Sequence, residues 1–245
     1  MKWDFIMTTN INIVIPMAGR SLRFKNNYHL PKPLIDINGK PTIQLAVDSL
    51  DVDGNFIFIV QKEHCDKFNL DSILYAIKPN CKIIKIDYIT EGPASTVLLA
   101  RDYIDNDEEL IVANCDQIME WDGSVFLNCC RMYDGAVVTY YENSIKNSYA
   151  KIDSKGKVTE IKEKQVISNI SLNGIHYWKK GKYFVNSVEE MILANERYNN
   201  EFYIGPSYNQ LIKKGYAIGI HHIPNEQHNA VGIPEDLEKY IQRIC

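Results

Sequence analysis

The chain has 245 residues, and its 27 Lys and Arg against 31 Asp and Glu give a formal net charge of −4. This balance provides no basic footprint, so we expect no nucleic-acid partner. No apolar run is long enough to cross a membrane, and residues 1–9 lack the apolar core of a signal peptide, which argues for a cytoplasmic protein without a membrane partner. The length suffices for one α/β domain with a substantial core.

Cysteine and histidine form no metal-binding pattern in this sequence. The six cysteines are scattered without a CxxC pair, so we interpret them as reduced, mostly buried thiols rather than disulfides or zinc ligands. Cys115 is expected to be a packing residue. His221, His222 and His228 are close in sequence, but we interpret them as structural or solvated side chains and not as metal ligands.

The first predicted element is the apolar, β-branched run Ile11–Ile15, which has the length of a buried strand. The loop AGRSLRF, residues 18–24, comes after it, and Pro31-Lys32-Pro33 lies further along. A small-residue loop with Arg and Lys suits a polyphosphate, because backbone N–H groups approach the phosphates and the cations neutralise them. The alternative is an ordinary strand-to-helix turn with solvated cations, and the spacing alone leaves both open.

Strands and helices alternate in the first half of the chain. The predicted strands are Asn55–Gln61, Lys82–Ile89 and Glu109–Asn114, and the predicted helices are Pro41–Leu50, Glu63–Ile77 and Pro93–Ile104. This alternation predicts a Rossmann-like α/β fold with a mixed, mainly parallel sheet and helices on both faces. Ligands bind beyond the carboxyl ends of such strands, so we expect Gly19, Gly92 and Asp116 to converge on one cleft.

The second half has a different pattern. Strands are predicted at 135–141, 148–153, 157–163 and 171–178, with a tight turn at 153–156, followed by helices at 183–198 and 206–214, a strand at 216–223 and a helix from Pro234. No repeat or linker-like stretch interrupts the chain. We therefore predict an extension at residues 1–10 and one domain at 11–245, in which 135–245 form a wall over the half at 11–134.

Three polar segments carry candidate chemistry. In TEGPAST, Gly92 lets the backbone approach a flat base and Pro93 can start a helix, although a plain helix entry explains both residues equally. After ELIVAN, Asp116 can hold Mg²⁺ beside substrate phosphates or serve as a helix N-cap. In EIKEK and the later segment LNGIHY, Lys164 can meet a phosphate, while Glu163 and Asn173 can bind hydroxyl or amide groups; the alternative is a solvated strand edge.

The ordered set AGRSLRF, PKPLIDINGKP, EGPAST, NCDQ, EIKEK, NGIHYW and GIPEDL resembles the sugar-phosphate nucleotidyltransferase family, which includes the nucleotide-sugar pyrophosphorylases. The resemblance covers residues 11–240. It implies a Mg²⁺-dependent reaction of a nucleoside triphosphate with a phosphorylated acceptor and release of pyrophosphate. The nearest group supplies activated sugars for capsule and surface polysaccharides. Other relatives transfer CTP to phosphocholine or phosphoglutamine, which keeps a non-sugar acceptor open.

The resemblance also implies roles for individual residues. Residues 11–134 become the nucleotide-binding half, and residues 135–245 become the acceptor-binding half. Lys32 would stabilise charge on the α-phosphate, Arg23 would grip the β- and γ-phosphates, and Asp116 would bind Mg²⁺. The implied nucleotide-binding residues are Ala18, Gly19, Arg20, Ser21, Arg23, Gln61, Gly92 and Pro93. The implied acceptor-binding residues are Glu163, Lys164, Asn173 and Gly174.

Two departures from the family pattern bear on function. Ser21-Leu22 replaces the usual Gly followed by Ser or Thr, and Ala230 occupies the place of a second metal-binding Asp, for which Asn229 or Glu226 could substitute. These changes keep a catalytically inactive nucleotide-binding regulator open as an alternative, although Lys32 and Asp116 argue for an enzyme. A dehydrogenase is disfavoured because the first loop lacks GxGxxG. The expected partners are a nucleoside triphosphate, with CTP favoured, and a small phosphorylated acceptor; a homo-oligomer is compatible with the sequence.

Overall fold

The computed structural model describes residues 10–19, 24 and 29–244. Within this part of the chain a mixed nine-stranded sheet forms the centre of the fold, and two two-stranded sheets, β2–β3 and β7–β13, lie apart from it. The strands in chain order are β1 Ile11–Met17, β2 Asp36–Ile37, β3 Lys40–Pro41, β4 Asn55–Gln61, β5 Lys82–Ile86, β6 Glu109–Ala113, β7 Gln117–Met119, β8 Gly135–Tyr141, β9 Ser148–Ile152, β10 Val158–Glu163, β11 Ile170–Trp178, β12 Ile218–His222 and β13 His228–Ala230.

β1 is an interior strand of the large sheet, with β6 on one side and β4 on the other. The path runs β10-β9-β11-β6-β1-β4-β5, and β8 pairs with both β11 and β12. β6, β1, β4 and β5 are parallel, whereas β11 runs antiparallel to β6 and to β8. The predicted Rossmann-like α/β fold is therefore confirmed, with its parallel part in the first half of the chain and antiparallel pairing concentrated in the second half.

Helices cover both faces of the sheet. They are α1 Thr42–Leu50, α2 Lys62–Phe68, α3 Leu70–Ile77, α4 Pro93–Leu98, α5 Arg101–Ile104, α6 Gly123–Cys130, α7 Gly181–Leu193, α8 Ile204–Lys213 and α9 Pro234–Ile244. Since side chains alternate along a strand, Ile13 and Ile15 of β1 face one core while Val14 faces the other. None of the helices in the described residues has both the length and the apolar character needed to cross a membrane.

Several predicted helices have different bounds in the structure. The helix predicted at 63–77 is divided into α2 and α3 because Asn69 takes a left-handed conformation with φ 53°. The helix predicted at 93–104 is likewise two short helices, α4 and α5. The helix predicted at 183–198 ends at Leu193, and Asn195 beyond it has φ 54°. Helix α6 was not predicted, although Asp122 caps it by accepting from the backbone N–H groups of Ser124 and Val125.

Candidate active site

A cleft of about 860 Å³ opens where the carboxyl ends of β1 and β6 meet the turn before α4. Gly19, Lys32, Gly92 and Cys115 are among the residues that line it. Asp116 follows Cys115 and contacts Lys32, so the three segments expected to converge do lie around one cleft. The position agrees with the rule that ligands of open α/β sheets bind beyond the carboxyl ends of the parallel strands.

A lysine and a carboxylate face each other at this cleft. Lys32 Nζ lies 2.7 Å from Asp116 Oδ2, and the two side chains are 24% and 14% exposed. Lys32 begins a 3₁₀ turn that ends at Leu34, with Pro31 before it in an extended conformation. Because Pro31 and Pro33 both restrict the backbone, the lysine leaves the chain from a rigid segment.

The loop after β13 holds Asp116 from the other side. Val231 N–H donates to the Asp116 carbonyl at 2.9 Å. A Cβ atom built on Gly232 would lie 2.5 Å from Asp116 Oδ2, so any other residue at this position would require the carboxylate to shift. Antiparallel pairing of β13 with β7 brings Ala230 opposite Gln117 and thereby fixes the loop beside the carboxylate.

The turn before α4 packs closely on a distant segment. Gly92 has φ 116°, and a Cβ atom there would lie 2.6 Å from both the N and O atoms of Phe202. Phe202 N–H donates to the Glu91 carbonyl, and Ala94 N–H donates to the Phe202 carbonyl. Pro93 occupies the first turn of α4, where its missing N–H costs nothing. Sequence reasoning singled out Gly92 and Pro93 but gave no signal for Phe202, because the contact crosses more than a hundred residues.

Gln61 joins two walls of the cleft. Its amide nitrogen donates to the Ala18 carbonyl at 2.7 Å and to the Tyr88 carbonyl at 3.0 Å, and the residue is 9% exposed. Both partners are acceptors, so they determine which end of the amide is nitrogen. The Gln61 amide nitrogen therefore connects the loop after β1 to the segment that follows β5.

The predicted acceptor residues lie at the end of β10, directly after it, and on β11, and none of them is among the residues that line this cleft. Glu163 is 7% exposed, and Ser148 Oγ donates to its Oε2 atom. Burial raises the pKa of Glu163, while the hydrogen bond from Ser148 and the charge of Lys164 act in the opposite direction. Lys164 Nζ donates to the Tyr203 hydroxyl at 2.7 Å and lies 3.9 Å from Glu163 Oε1.

Asn173 and Gly174 are engaged by the chain itself. Asn173 is 3% exposed, its Oδ1 accepts from Ile175 N–H at 2.9 Å, and its Nδ2 lies 3.6 Å from Met119 Sδ. Gly174 has φ 97°, and a Cβ atom there would lie 2.1 Å from Asn114 Nδ2. Both residues therefore support the packing of β11 next to the segment that carries Asp116.

The three C-terminal histidines have separate environments. His221 packs against Trp121 and Phe126, and His222 packs against Tyr141. The Nε2 atom of His228 hydrogen bonds with Gln117 Oε1 at 2.5 Å, and burial lowers the pKa of His228 to about 4. In the described part of the chain, no three or more His, Cys, Asp or Glu side chains are grouped to hold a metal ion.

The residues present fit a Mg²⁺ ion held partly by substrate. Asp116 offers one carboxylate at the cleft, and Mg²⁺ commonly takes one or two carboxylates together with phosphate oxygens and water. Asn229 is not directed to it, because its amide nitrogen donates to the Ile118 carbonyl and to Glu120 Oε1. Ala230 has no ligand atom in its side chain. A single protein carboxylate is thus the available donor among these positions.

The remaining predicted phosphate residues, Arg20, Ser21 and Arg23, lie outside the described residues, as does Leu22. Both described ends of their loop border the cleft. Gly19 and Phe24 are both among the residues that line it, and Phe24 is 1% exposed. Their proposed contacts with phosphates stay predictions.

The fold and cleft define a protein of the nucleotidyltransferase class. Residues 13–147 match the MobA-like NTP transferase domain. The chain belongs to this family. A curated relative, the bifunctional protein GlmU of Methanocaldococcus jannaschii, is 28% identical over 232 residues, which make up 93% of this chain and 52% of the relative. The chain spans about half the length of the curated relatives it matches.

Solved structures give the same class. The nucleoside-diphosphate-sugar pyrophosphorylase of Vibrio cholerae superposes with a TM-score of 0.83 at 26% identity, covering 94% of this chain and 99% of that protein. The CTP:phosphocholine cytidylyltransferase of Streptococcus pneumoniae superposes with a TM-score of 0.70 at 15% identity, covering 96% of this chain and 100% of that protein. At that identity the second likeness concerns the fold alone.

Proposed function

We propose that this chain is a Mg²⁺-dependent nucleotidylyltransferase that joins a nucleoside triphosphate to a sugar 1-phosphate and releases pyrophosphate. The observation that carries this proposal is the contact of Lys32 with Asp116 at the cleft formed by the loop after β1. Attack of one phosphate on another brings anions together, and a fixed cation beside a metal-binding carboxylate offsets their repulsion.

Lys32 acts on the α-phosphate in this proposal. Its ammonium is paired with Asp116, and it donates to the phosphate oxygens as negative charge develops on them. Mg²⁺, when bound by Asp116, supplies further neutralisation of the phosphates. No side-chain nucleophile is needed because the acceptor's phosphate oxygen is already ionised. Arg20, Ser21 and Arg23 would complete the triphosphate site.

The base and the acceptor occupy opposite sides of this centre in the proposal. The bare backbone at Gly92 suits a flat base, with Ala18, Gly19, Gln61 and Pro93 around it. Glu163 and Lys164 bind the acceptor, while Asn173 and Gly174 hold the wall behind it. CTP as the preferred nucleotide and a place in surface-polysaccharide precursor synthesis, in the cytoplasm, rest on the family resemblance.

The contact of Lys32 with Asp116 favours catalysis over nucleotide binding alone, while the choice of a sugar 1-phosphate as acceptor rests on the family resemblance. A cytidylyltransferase for phosphocholine-like acceptors would share the same fold, as the Streptococcus pneumoniae protein illustrates. A nucleotide-binding regulator would explain Ser21-Leu22 and Ala230, but it would not require the contact of Lys32 with Asp116. The pairing of a cation with a metal-binding carboxylate therefore supports catalysis.

The test is a grid of four nucleoside triphosphates against sugar 1-phosphates, phosphocholine and small amino-acid phosphates, with pyrophosphate release as the readout. We expect release with a sugar 1-phosphate and one preferred nucleotide, and we expect it to depend on Mg²⁺. Release with phosphocholine alone would establish the first alternative instead. Tight nucleotide binding without release for any acceptor would establish the regulator and contradict the proposal.

A further inference from the structure

A small hydrophobic core forms a cluster separate from the two cores on the faces of the nine-stranded sheet. Its members come from the two short sheets, from α9 and from connecting segments, and none of them is on a strand of the nine-stranded sheet. We call this cluster the third core. It consists of the buried side chains of Phe24, Ile35, Ile37, Ile118, Val231 and Leu237.

Two members of the third core follow the catalytic pair closely in the chain. Ile35 is three residues after Lys32, at the C-terminal end of the 3₁₀ turn that carries the lysine. Ile118 is two residues after Asp116, on β7. The packing of these two isoleucines in one core therefore holds together the segments that carry the lysine and the carboxylate.

Two further members border other parts of the site. Val231 donates its N–H to the Asp116 carbonyl at 2.9 Å, and Gly232 after it lies against the Asp116 carboxylate. Phe24 lines the cleft and is the residue that follows Arg23 in the chain. The third core thus joins four segments of the chain that border the site.

Leu237 connects α9 to this core. Leu237 is 1% exposed, and with Pro234 at the start of the helix it is one of the two buried residues of α9. α9 is also attached by the pair of Arg243 with Glu120, but both side chains are about half exposed, and such a pair contributes little. Burial of Leu237 in the third core is therefore a main attachment of α9.

We propose that Leu237 is a positioning residue for the catalytic centre, through which α9 keeps the segments of Lys32 and Asp116 in place. This inference rests on the proposed function for the existence of a catalytic centre. Leu237 acts through the core on which both segments pack and not by contact with the substrate. Because a displacement of about 1 Å can lower the rate of a reaction about a hundredfold, loss of this side chain should affect turnover as well as stability.

The third core can open without the rest of the fold. Separation of α9 from it leaves the hydrogen bonds of the nine-stranded sheet intact, since no member of the core is on that sheet. We therefore expect the detachment of α9 to require less free energy than global unfolding. When α9 detaches, the segments that carry Lys32 and Asp116 lose the core that holds them together.

The first measurement is the hydrogen-exchange rate of the Val231 N–H group by NMR, and it needs no turnover. Leu237→Ala should raise this rate about tenfold or more, because it weakens the core whose opening exposes the hydrogen bond to Asp116. The matched control is Leu74→Ala, which removes the same atoms from a fully buried leucine of α3 in one of the two large cores. It should leave the rate at Val231 unchanged, because Leu74 stays packed when the third core opens.

The second measurement separates positioning from a merely structural role. Loss of folded enzyme lowers the total rate of pyrophosphate release but does not change the Mg²⁺ concentration for half-maximal activity. At a temperature at which it is fully folded, Leu237→Ala should raise that concentration about threefold or more and lower kcat about tenfold or more. Leu74→Ala should change neither quantity, and Leu237→Met, which nearly conserves volume, should retain wild-type values.

Two results would overturn the inference. One is an equal exchange rate of the Val231 N–H group in Leu237→Ala and Leu74→Ala, since the third core would then not open by itself. The other is a folded Leu237→Ala with the kcat and the Mg²⁺ requirement of the wild type. If Leu237→Ala does not fold, Leu237→Val replaces it, with smaller changes expected in the same direction.

Failure of the proposed function gives a different result. Absence of pyrophosphate release by the wild type with every acceptor would reject that function. The exchange rate of the Val231 N–H group would then still decide whether Leu237 holds the loop beside Asp116.

Discussion

Lys32 Nζ contacts Asp116 Oδ2 at 2.7 Å although 84 positions separate the two residues in the chain. The cation comes from a proline-flanked 3₁₀ turn and the carboxylate from the segment after β6. Each offsets the charge of the other. When substrate is bound, Lys32 would attract the phosphates and Asp116 would attract Mg²⁺, in place of their mutual contact. We therefore expect substitution of Lys32 to lower kcat and substitution of Asp116 to raise the Mg²⁺ requirement.

Asp116→Asn tests the metal-binding half of this pair. The amide retains the shape of the side chain but loses its charge, so we expect the Mg²⁺ concentration for half-maximal activity to rise by about ten- to a hundredfold. A Mg²⁺ titration of pyrophosphate release measures this. Asp48→Asn, in the exposed pair with Lys40 at 3.6 Å, is the matched control and should leave the titration unchanged. An unaltered Mg²⁺ dependence in Asp116→Asn would contradict the assignment.

Ala230→Asp tests the vacant second carboxylate position. Ala230 lies opposite Gln117 in the β13–β7 pair, and Gln117 is the residue that follows Asp116 in the chain. A carboxylate there adds negative charge and a metal ligand, so the Mg²⁺ requirement should fall several-fold. The control is Asn229→Asp, because Asn229 bonds to Glu120 and the Ile118 carbonyl. Equal effects of both substitutions would refute a specific role for position 230.

Gly92→Ala tests the close packing of the base-side turn. Its Cβ would collide with the backbone of Phe202 at 2.6 Å, in addition to the strain of φ 116°. We expect a loss of about 3 kcal/mol or more in unfolding free energy. Gly156→Ala is the control, because Gly156 also has a positive φ of 77° but a Cβ atom there would have no neighbour within 4 Å. Its loss in unfolding free energy, about 1 kcal/mol, measures the backbone strain alone. Equal losses in denaturant unfolding would show that the contact with Phe202 is unimportant.

Glu163→Gln tests the cost of a buried carboxylate. Burial raises the pKa of Glu163, so the folded state binds its proton more tightly than the unfolded state does. Stability from this group is present below its ordinary pKa of 4.5 and is lost as pH rises through the higher folded value. Glutamine avoids that loss and can still accept from Ser148.

Thermal unfolding of Glu163→Gln should therefore show a higher Tm than the wild type at neutral pH and the same Tm below pH 4.5. The KM for the acceptor should rise in the same variant. Glu160→Gln, on the more exposed side of β10, serves as the control and should change neither quantity. A lower Tm at neutral pH would mean that the attraction to Lys164 exceeds the cost of burial.

Local sequence patterns predicted many of the strands and helices of the fold. The bounds of β4 and β8 agree with the prediction because each is an apolar, β-branched run between turn residues. The convergence of Gly19, Gly92 and Asp116 followed from parallel topology, which brings strand ends to one edge of the sheet. Helix breaks at Asn69 and near Ala100 were missed, since single residues can change conformation without disturbing the helical apolar pattern.

Contacts between segments that are far apart in the chain could not be predicted from the sequence. No sequence pattern indicated that Lys164 donates to the Tyr203 hydroxyl, because the contact depends on how α8 packs against β10. The approach of Gly232 to Asp116 likewise arises from the β13–β7 pairing. The family resemblance predicts that Asn173 binds the acceptor, but it gave no indication that the polar atoms of this side chain contact Ile175 and Met119.

The most direct test of the central claim is the rate of pyrophosphate release by Lys32→Ala with saturating nucleotide and the best acceptor. The account predicts a kcat lower by a factor on the order of 10² to 10⁴ and a change in unfolding free energy of about 1 kcal/mol or less, because the pair with Asp116 is partly exposed. Lys40→Ala, in the exposed pair with Asp48, should retain full activity. A folded Lys32→Ala variant with near-normal kcat would contradict the proposed mechanism.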